Sequence, residues 1–146
     1  MSIEENKAMA RRLFEEALNQ GKVEVFDELL APNFLYHNPT WPGVHTLEDY
    51  KPFITAWRSA FPDLHVTIDD MIAEDDTVVI RYTWHGTNTG DIVMPMRLPA
   101  TGKHVTVTAM NIGRAVEGKC VELWQEGNDL GLVQQLGLIP MPEPVG

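Results

Sequence analysis

Residues 118–137 read Gly-Lys-Cys-Val-Glu-Leu-Trp-Gln-Glu-Gly-Asn-Asp-Leu-Gly-Leu-Val-Gln-Gln-Leu-Gly, and the fold is decided there. Glu117-Gly118 is turn chemistry, Val121, Leu123 and Gln125 alternate as on a strand, and a short amphipathic helix then runs to a glycine stop at Gly137. Cys120 alternates with Glu122 and Trp124, a position that suits a small packed residue. Upstream of the turn, Val105, Val107, Ala109 and Asn111 repeat the same period, so the two runs form a long antiparallel pair. Leu64, Val66 and Ile68 form one face of an earlier strand. The acidic turn Glu74 to Asp76 leads from it into Val78, Ile80, Tyr82 and Trp84.

Before residue 61 the period is helical. Ser2 with Glu5 forms a capping box, and Ala8, Leu13, Phe14 and Leu18 recur until Gly21. A second helix spans about Val23 to Leu30 and stops at Ala31-Pro32. Phe34-Leu35-Tyr36 is a brief extended piece, and Asn38-Pro39 and Pro42-Gly43 mark an irregular connection. Thr46 with Asp49 opens a third helix carrying Tyr50, Phe53, Ile54 and Trp57 on one side, ended by Phe61-Pro62. Helices first and antiparallel strands afterwards give the α+β class. Pro95 and Pro99, with Ile92, Val93, Met94, Met96 and Leu98 around them, make the Gly90 to Gly102 segment either a pocket flap or a loop packed on the core or a neighbouring subunit.

The 146 residues, 44% hydrophobic, are enough for one domain with an ordinary core. We place that domain at residues 1–138 and a proline-rich, extended tail at 139–146. A net charge of -10 argues against nucleic acid or an anionic membrane as partner, because a phosphate backbone requires a basic footprint. One cysteine excludes an intrachain disulfide and a thiolate metal cluster. Acids at Glu4 and Glu5 precede any apolar run, unlike a signal peptide, and no window reaches the roughly 20 apolar residues of a membrane helix, so a cytoplasmic protein is expected. Phosphate-binding loops, nucleophile elbows and metal-ligand helices are absent from the sequence. His37, His45, His65, His85 and His104 are scattered, so no metal site is expected.

The 118–137 stretch, with His37-Asn38-Pro39, Phe61-Pro62-Asp63 and Thr101-Gly102-Lys103, resembles the SnoaL-like polyketide cyclases, small proteins of the nuclear transport factor fold. The resemblance spans nearly the whole chain. It implies N-terminal helices packed in the concave face of a strongly curved antiparallel sheet, a cone-shaped α+β barrel with a conical pocket and no cofactor. It also implies a homodimer through the outer sheet face, where Arg81, Thr83, His85, Thr106 and Thr108 would lie. The aldol-catalysing members carry a proton-shuttling aspartate at the position of Gln125 and a histidine at that of Asn111. An amide keeps the hydrogen-bonding shape of those groups but moves no proton.

Period two places Asn111 inward with Val107 and Ala109, and Gln125 inward with Leu123. Each amide is then either satisfied by its neighbours or turned toward a ligand. Phe53, Trp57, Tyr82 and Trp84 would form an aromatic wall, and Leu18, Tyr36 and Asn128 complete the contacts expected for a small, mainly apolar carbonyl compound. The expected chemistry is cyclase, isomerase or hydratase-like, with Asn111 and Gln125 orienting a carbonyl or enolate and His37 either the base or a surface histidine. Glu126 falls on the opposite strand face, and Asp129 reads as the cap of the last helix. The alternative is a binding module of the same fold without catalysis. Epoxide opening would call for an inward carboxylate pair, which the sequence does not display.

Overall fold

The computed structural model describes residues 2–94, 96–140 and 142–145. Pro95, named above as a breaker of the loop, and Met141 and Gly146 of the expected tail lie outside the described residues. The chain runs α1 (Ile3–Arg12), α2 (Glu24–Leu29), β1 (Leu30–His37), α3 (Leu47–Ala60), β2 (His65–Glu74), β3 (Thr77–Thr87), β4 (His104–Val116), β5 (Lys119–Gly127) and α4 (Asp129–Gln135). The described tail residues 142–145 belong to no helix or strand.

One curved sheet, ordered β1-β5-β4-β3-β2, receives the N-terminal helices on its concave side. The expected antiparallel sheet is in fact mixed, because β1 pairs with β5 in parallel while the other three pairings are antiparallel. A short apolar run such as Phe34 to Tyr36 carries no period that reports pairing direction. The other edge of β1 is covered where Leu35 bridges Thr46, and the Tyr36 amide donates to the His45 carbonyl at 2.7 Å.

Local chemistry sets the helix ends. Ser2 accepts from the Glu5 amide, and Thr46 and Asp49 close a reciprocal capping box on α3. Beyond Arg12 the first helix widens into a π-helical segment, Leu13–Asn19. Such a segment leaves carbonyls without helical partners. Arg58 donates to the Leu18 and Asn19 carbonyls, and the Asn19 side chain pairs with both backbone groups of Val66, donating at 2.9 Å and accepting at 2.6 Å. The widened turn is thus fastened to β2 and α3, which aims Leu13, Phe14 and Leu18 at the interior.

Alternation places Val78, Ile80, Tyr82 and Trp84 of β3 and Val105, Val107, Ala109 and Asn111 of β4 on the buried face, as read from the sequence. Glu117 and Gly118 both have positive φ, as a two-residue hairpin of the favoured twist requires. Cys120 departs from the expected parity. Arg114 pairs with Glu122 but Ala115 pairs with Cys120, so Val121 is an extra, bulged residue that turns Cys120 inward with Leu123 and Gln125. Burial pushes the Cys120 thiol up to about 11, which makes it a poor nucleophile.

The Gly90 to Gly102 loop is held from within. Fully buried Asn88 donates to the Ala60 and Gly90 carbonyls and accepts from the amide and hydroxyl of Thr101. Ile92 is buried in the core and bridges Leu98. Gly90 passes so close to the Ser59 carbonyl that any Cβ would collide with it. The core forms two clusters, one around Phe61, Trp84 and Val107 and the other around Phe26, Phe34 and Tyr50; Leu18 and Trp57 touch both.

Candidate functional site

Between those two clusters the side chains leave a cavity of ≈ 150 Å³. Its walls are apolar: Phe14 and Leu18 from the first helix, Phe53 and Trp57 from α3, Tyr82 and Trp84 from β3, and Leu123 from β5. Polar residues from different elements meet on this space: Tyr36, Asn38, Tyr50, Tyr82, Asn111, Arg114, Gln125 and Asp129. A mainly apolar chamber with a few placed polar groups is the usual form of a small-molecule site.

The polar groups are paired in an ordered way. Gln125 Nε2 donates to Tyr82 Oη at 2.6 Å, and Gln125 Oε1 accepts from Asn111 Nδ2 at 3.4 Å. Asn38 Nδ2 donates to Tyr36 Oη at 3.1 Å, and Asn38 Oδ1 accepts from the Thr40 amide. In both pairs the phenol oxygen is the acceptor, so its own proton remains available to a third group. Burial holds both phenols protonated. It pushes Tyr36 up to about 12 despite the Asn38 hydrogen bond, and raises Tyr82 further. The arrangement presents two O–H donors, each backed by an amide, to an apolar space, where they can bind a carbonyl oxygen and stabilise negative charge developing on it.

Of the residues expected at the site, Leu18, Tyr36, Phe53, Trp57, Tyr82, Trp84, Asn111, Leu123 and Gln125 line the cavity together. Val107 and Ala109 are buried on the same sheet face but belong to the packed core beyond it. Asn128 caps α4, its side chain accepting from the Gly131 amide, so the cap expected of Asp129 belongs to its neighbour. His37 does not line the cavity. Its Nε2 lies 2.7 Å from Glu122 Oε2, its ring stacks on Trp124, and Glu122 also receives Arg114. Hydrogen bonds from His37 and then Arg114 hold the Glu122 carboxyl below its ordinary value, so it accepts and the imidazole donates. No described residue of the Gly90 to Gly102 segment lines the cavity; Ile92, Met96 and Leu98 pack on the core, in line with the second of the two readings of that loop.

Among the contributors that escaped sequence reading are Asn38, Asp129 and Trp41. Asn38-Pro39 signals a turn and nothing about which way the amide faces. Asp129 sits where a cap is expected, and only the adjacent Asn128 reveals that the cap is already supplied. Among the described residues no cluster of three His, Cys, Asp or Glu side chains is disposed to hold a metal ion. Nor is any described helix long and apolar enough to cross a membrane.

The model of the SnoaL-like polyketide cyclase family matches residues 8–136. The chain is 28% identical over 145 residues to the aklanonic acid methyl ester cyclase DauD of Streptomyces sp. (strain C5), covering 94% of this chain and 84% of that protein. Among solved structures, AclR from Streptomyces galilaeus superposes with a TM-score of 0.84 at 26% identity, covering 97% of this chain and 87% of that one. TsrD from Streptomyces laurentii gives 0.83 at 28% identity, with 95% and 99% covered.

Proposed function

The chain belongs to the SnoaL-like polyketide cyclase family, and we propose from that premise and the cavity's chemistry that it binds a small, mainly apolar carbonyl compound for cofactor-independent cyclisation or isomerisation. The observation that carries this reading is the pair of amide-backed phenols. Tyr82, held by Gln125, and Tyr36, held by Asn38, offer O–H donors where a carbonyl oxygen would sit among Phe53, Trp57, Trp84 and Leu123. Within this reading Asn111 and Gln125 orient the carbonyl through Tyr82 rather than by moving protons. The chamber's ≈ 150 Å³ equals the volume of about 150 Å³ at which an apolar cavity accepts benzene, so the buried part of the ligand is one ring, with the remainder toward Asn38 and Asp129.

A binding module without catalysis is the second reading, favoured by amides at both positions where aldol-catalysing relatives carry proton-transfer groups. Melting the protein with a panel of aryl and cyclic ketones tests what the two readings share. A ketone at about 100 times its Kd adds ~2.7 kcal/mol to the folded state, a readily measured rise in Tm. A panel without any shift refutes both. The same proposal includes a cytoplasmic setting and a homodimer formed through the convex sheet face, where Arg81, Thr106 and Thr108 are accompanied by exposed Met110, Ile112 and Trp124. Light scattering is expected to return twice the chain mass at micromolar concentration; a monomer mass there rejects the dimer.

A further inference from the structure

We propose, resting on the carbonyl-binding reading above, that Asp129 is the catalytic residue that takes and returns the proton, a carboxylate brought to the cavity from α4 instead of from β5. Four observations meet on it. Asp129 is the one carboxylate among the described residues lining the cavity. It is released from capping, because Asn128 serves that end of α4. Its Oδ2 receives the Thr40 hydroxyl, which fixes the carboxylate plane. Its Oδ1 faces the same small space as the Gln125 amide: a Cβ built on Gly127 would stand 3.6 Å from Asp129 Oδ1 and 3.9 Å from Gln125 Nε2. Among the described residues Oδ1 has no hydrogen-bond donor, so it is free to accept a proton. The negative charge of Asp129 also contributes to keeping the Tyr36 and Tyr82 hydroxyls protonated, which places base and donors around one chamber.

The step balances without a cofactor. Asp129 Oδ1 takes a proton from the carbon next to the carbonyl, and the C–H electron pair becomes the C=C bond of the enolate. The carbonyl π pair moves onto oxygen, where the Tyr82 and Tyr36 O–H groups hold it. The enolate carbon then attacks a second carbonyl of the same molecule, closing a ring, and Asp129 returns its proton to the alkoxide. Returned to carbon instead, the proton completes an isomerisation.

Exchange of the α-hydrogens of 2-indanone for deuterium, followed by proton NMR in D2O with the full chain, isolates the first half of this step. The wild type is expected to exchange them faster than buffer. Asp129→Asn is expected to lose that acceleration by about 10²- to 10⁴-fold while its Tm still rises with the ketone. Asp129→Ala guards against an effect on folding: added formate should restore exchange in this variant and leave the wild type unchanged. Wild-type exchange rates in Asp129→Asn overturn the assignment, as does a wild type whose Tm responds to 2-indanone while exchange stays at the buffer rate. A wild type that shows no Tm response to the ketone refutes the carbonyl-binding reading itself, and this inference falls with it.

Discussion

The two faces of β5 carry two polar networks built on opposite principles. On the concave face Gln125 links Asn111 to Tyr82 with neutral groups only, and Asn111 is 6% exposed. On the convex face Glu122 gathers His37 and Arg114, with side chains 21%, 33% and 42% exposed. Dry surroundings penalise a charge severely and reward a satisfied amide; near water an ion pair costs little and contributes little. One strand therefore assigns fixed-proton groups to the cavity and titrating groups to the outside. Asp129, the one carboxylate among the described residues lining the cavity, pairs with exposed Thr40.

The largest effect expected from this contrast is on the inner network. Tyr82→Phe keeps the ring packed against Phe14 but leaves the Gln125 amide donor unpaired, which is expected to cost about 1–3 kcal/mol. Replacing both partners, Tyr82→Phe with Gln125→Leu, is expected to cost less than the sum of the two single changes, since the Tyr82–Gln125 bond then leaves neither partner unpaired and only Asn111 Nδ2 loses its acceptor. Urea melts of the two single variants and the double variant close the cycle. Strictly additive losses would show that the two residues do not act as a unit, and the contrast between the faces would lose its inner half.

The sequence disclosed the frame of this contrast better than its contents. Period two sufficed to put Asn111, Tyr82 and Gln125 on one side, because half-buried antiparallel strands repeat their environment at every second residue. It misassigned Cys120 because a bulge inserts one residue and reverses parity, and nothing in Lys119-Cys120-Val121 announces a bulge. The parallel docking of β1 was equally silent, and it decides where His37 goes: paired beside Trp124 on β5, the imidazole meets Glu122 and not the chamber. Asp129 was visible as a residue but read as a cap, since two adjacent cap-forming residues give no order of precedence. Family resemblance points to the strand positions Asn111 and Gln125, which line the cavity, and side-chain pairing across 43 residues, as between Gln125 and Tyr82, is accessible only in three dimensions.

The smallest effect is expected on the outer network, and its pH dependence distinguishes it from the inner one. Glu122 is held below its ordinary value of 4.5 by hydrogen bonds from His37 and then Arg114. A carboxyl whose folded value is depressed binds fewer protons in the native state than in the unfolded one, so its stabilisation is present above the unfolded value and is lost as pH falls through the folded value. With partners this open to solvent, Glu122→Gln is expected to cost no more than about 1 kcal/mol at pH 7. The difference between wild type and variant is expected to shrink as pH falls from about 4.5, where the unfolded carboxyl begins to bind its proton, and to vanish only below the depressed folded value, where the wild-type carboxyl is neutralised as well. The Tyr82→Phe deficit lies in a bond between an amide and a phenol that burial keeps protonated, and should stay level across the same window. Melts of both variants between pH 3 and 7 make the comparison. A Glu122→Gln deficit that holds constant into acid, or a Tyr82→Phe deficit that follows pH, would mean that charge is not what separates the two faces of the strand.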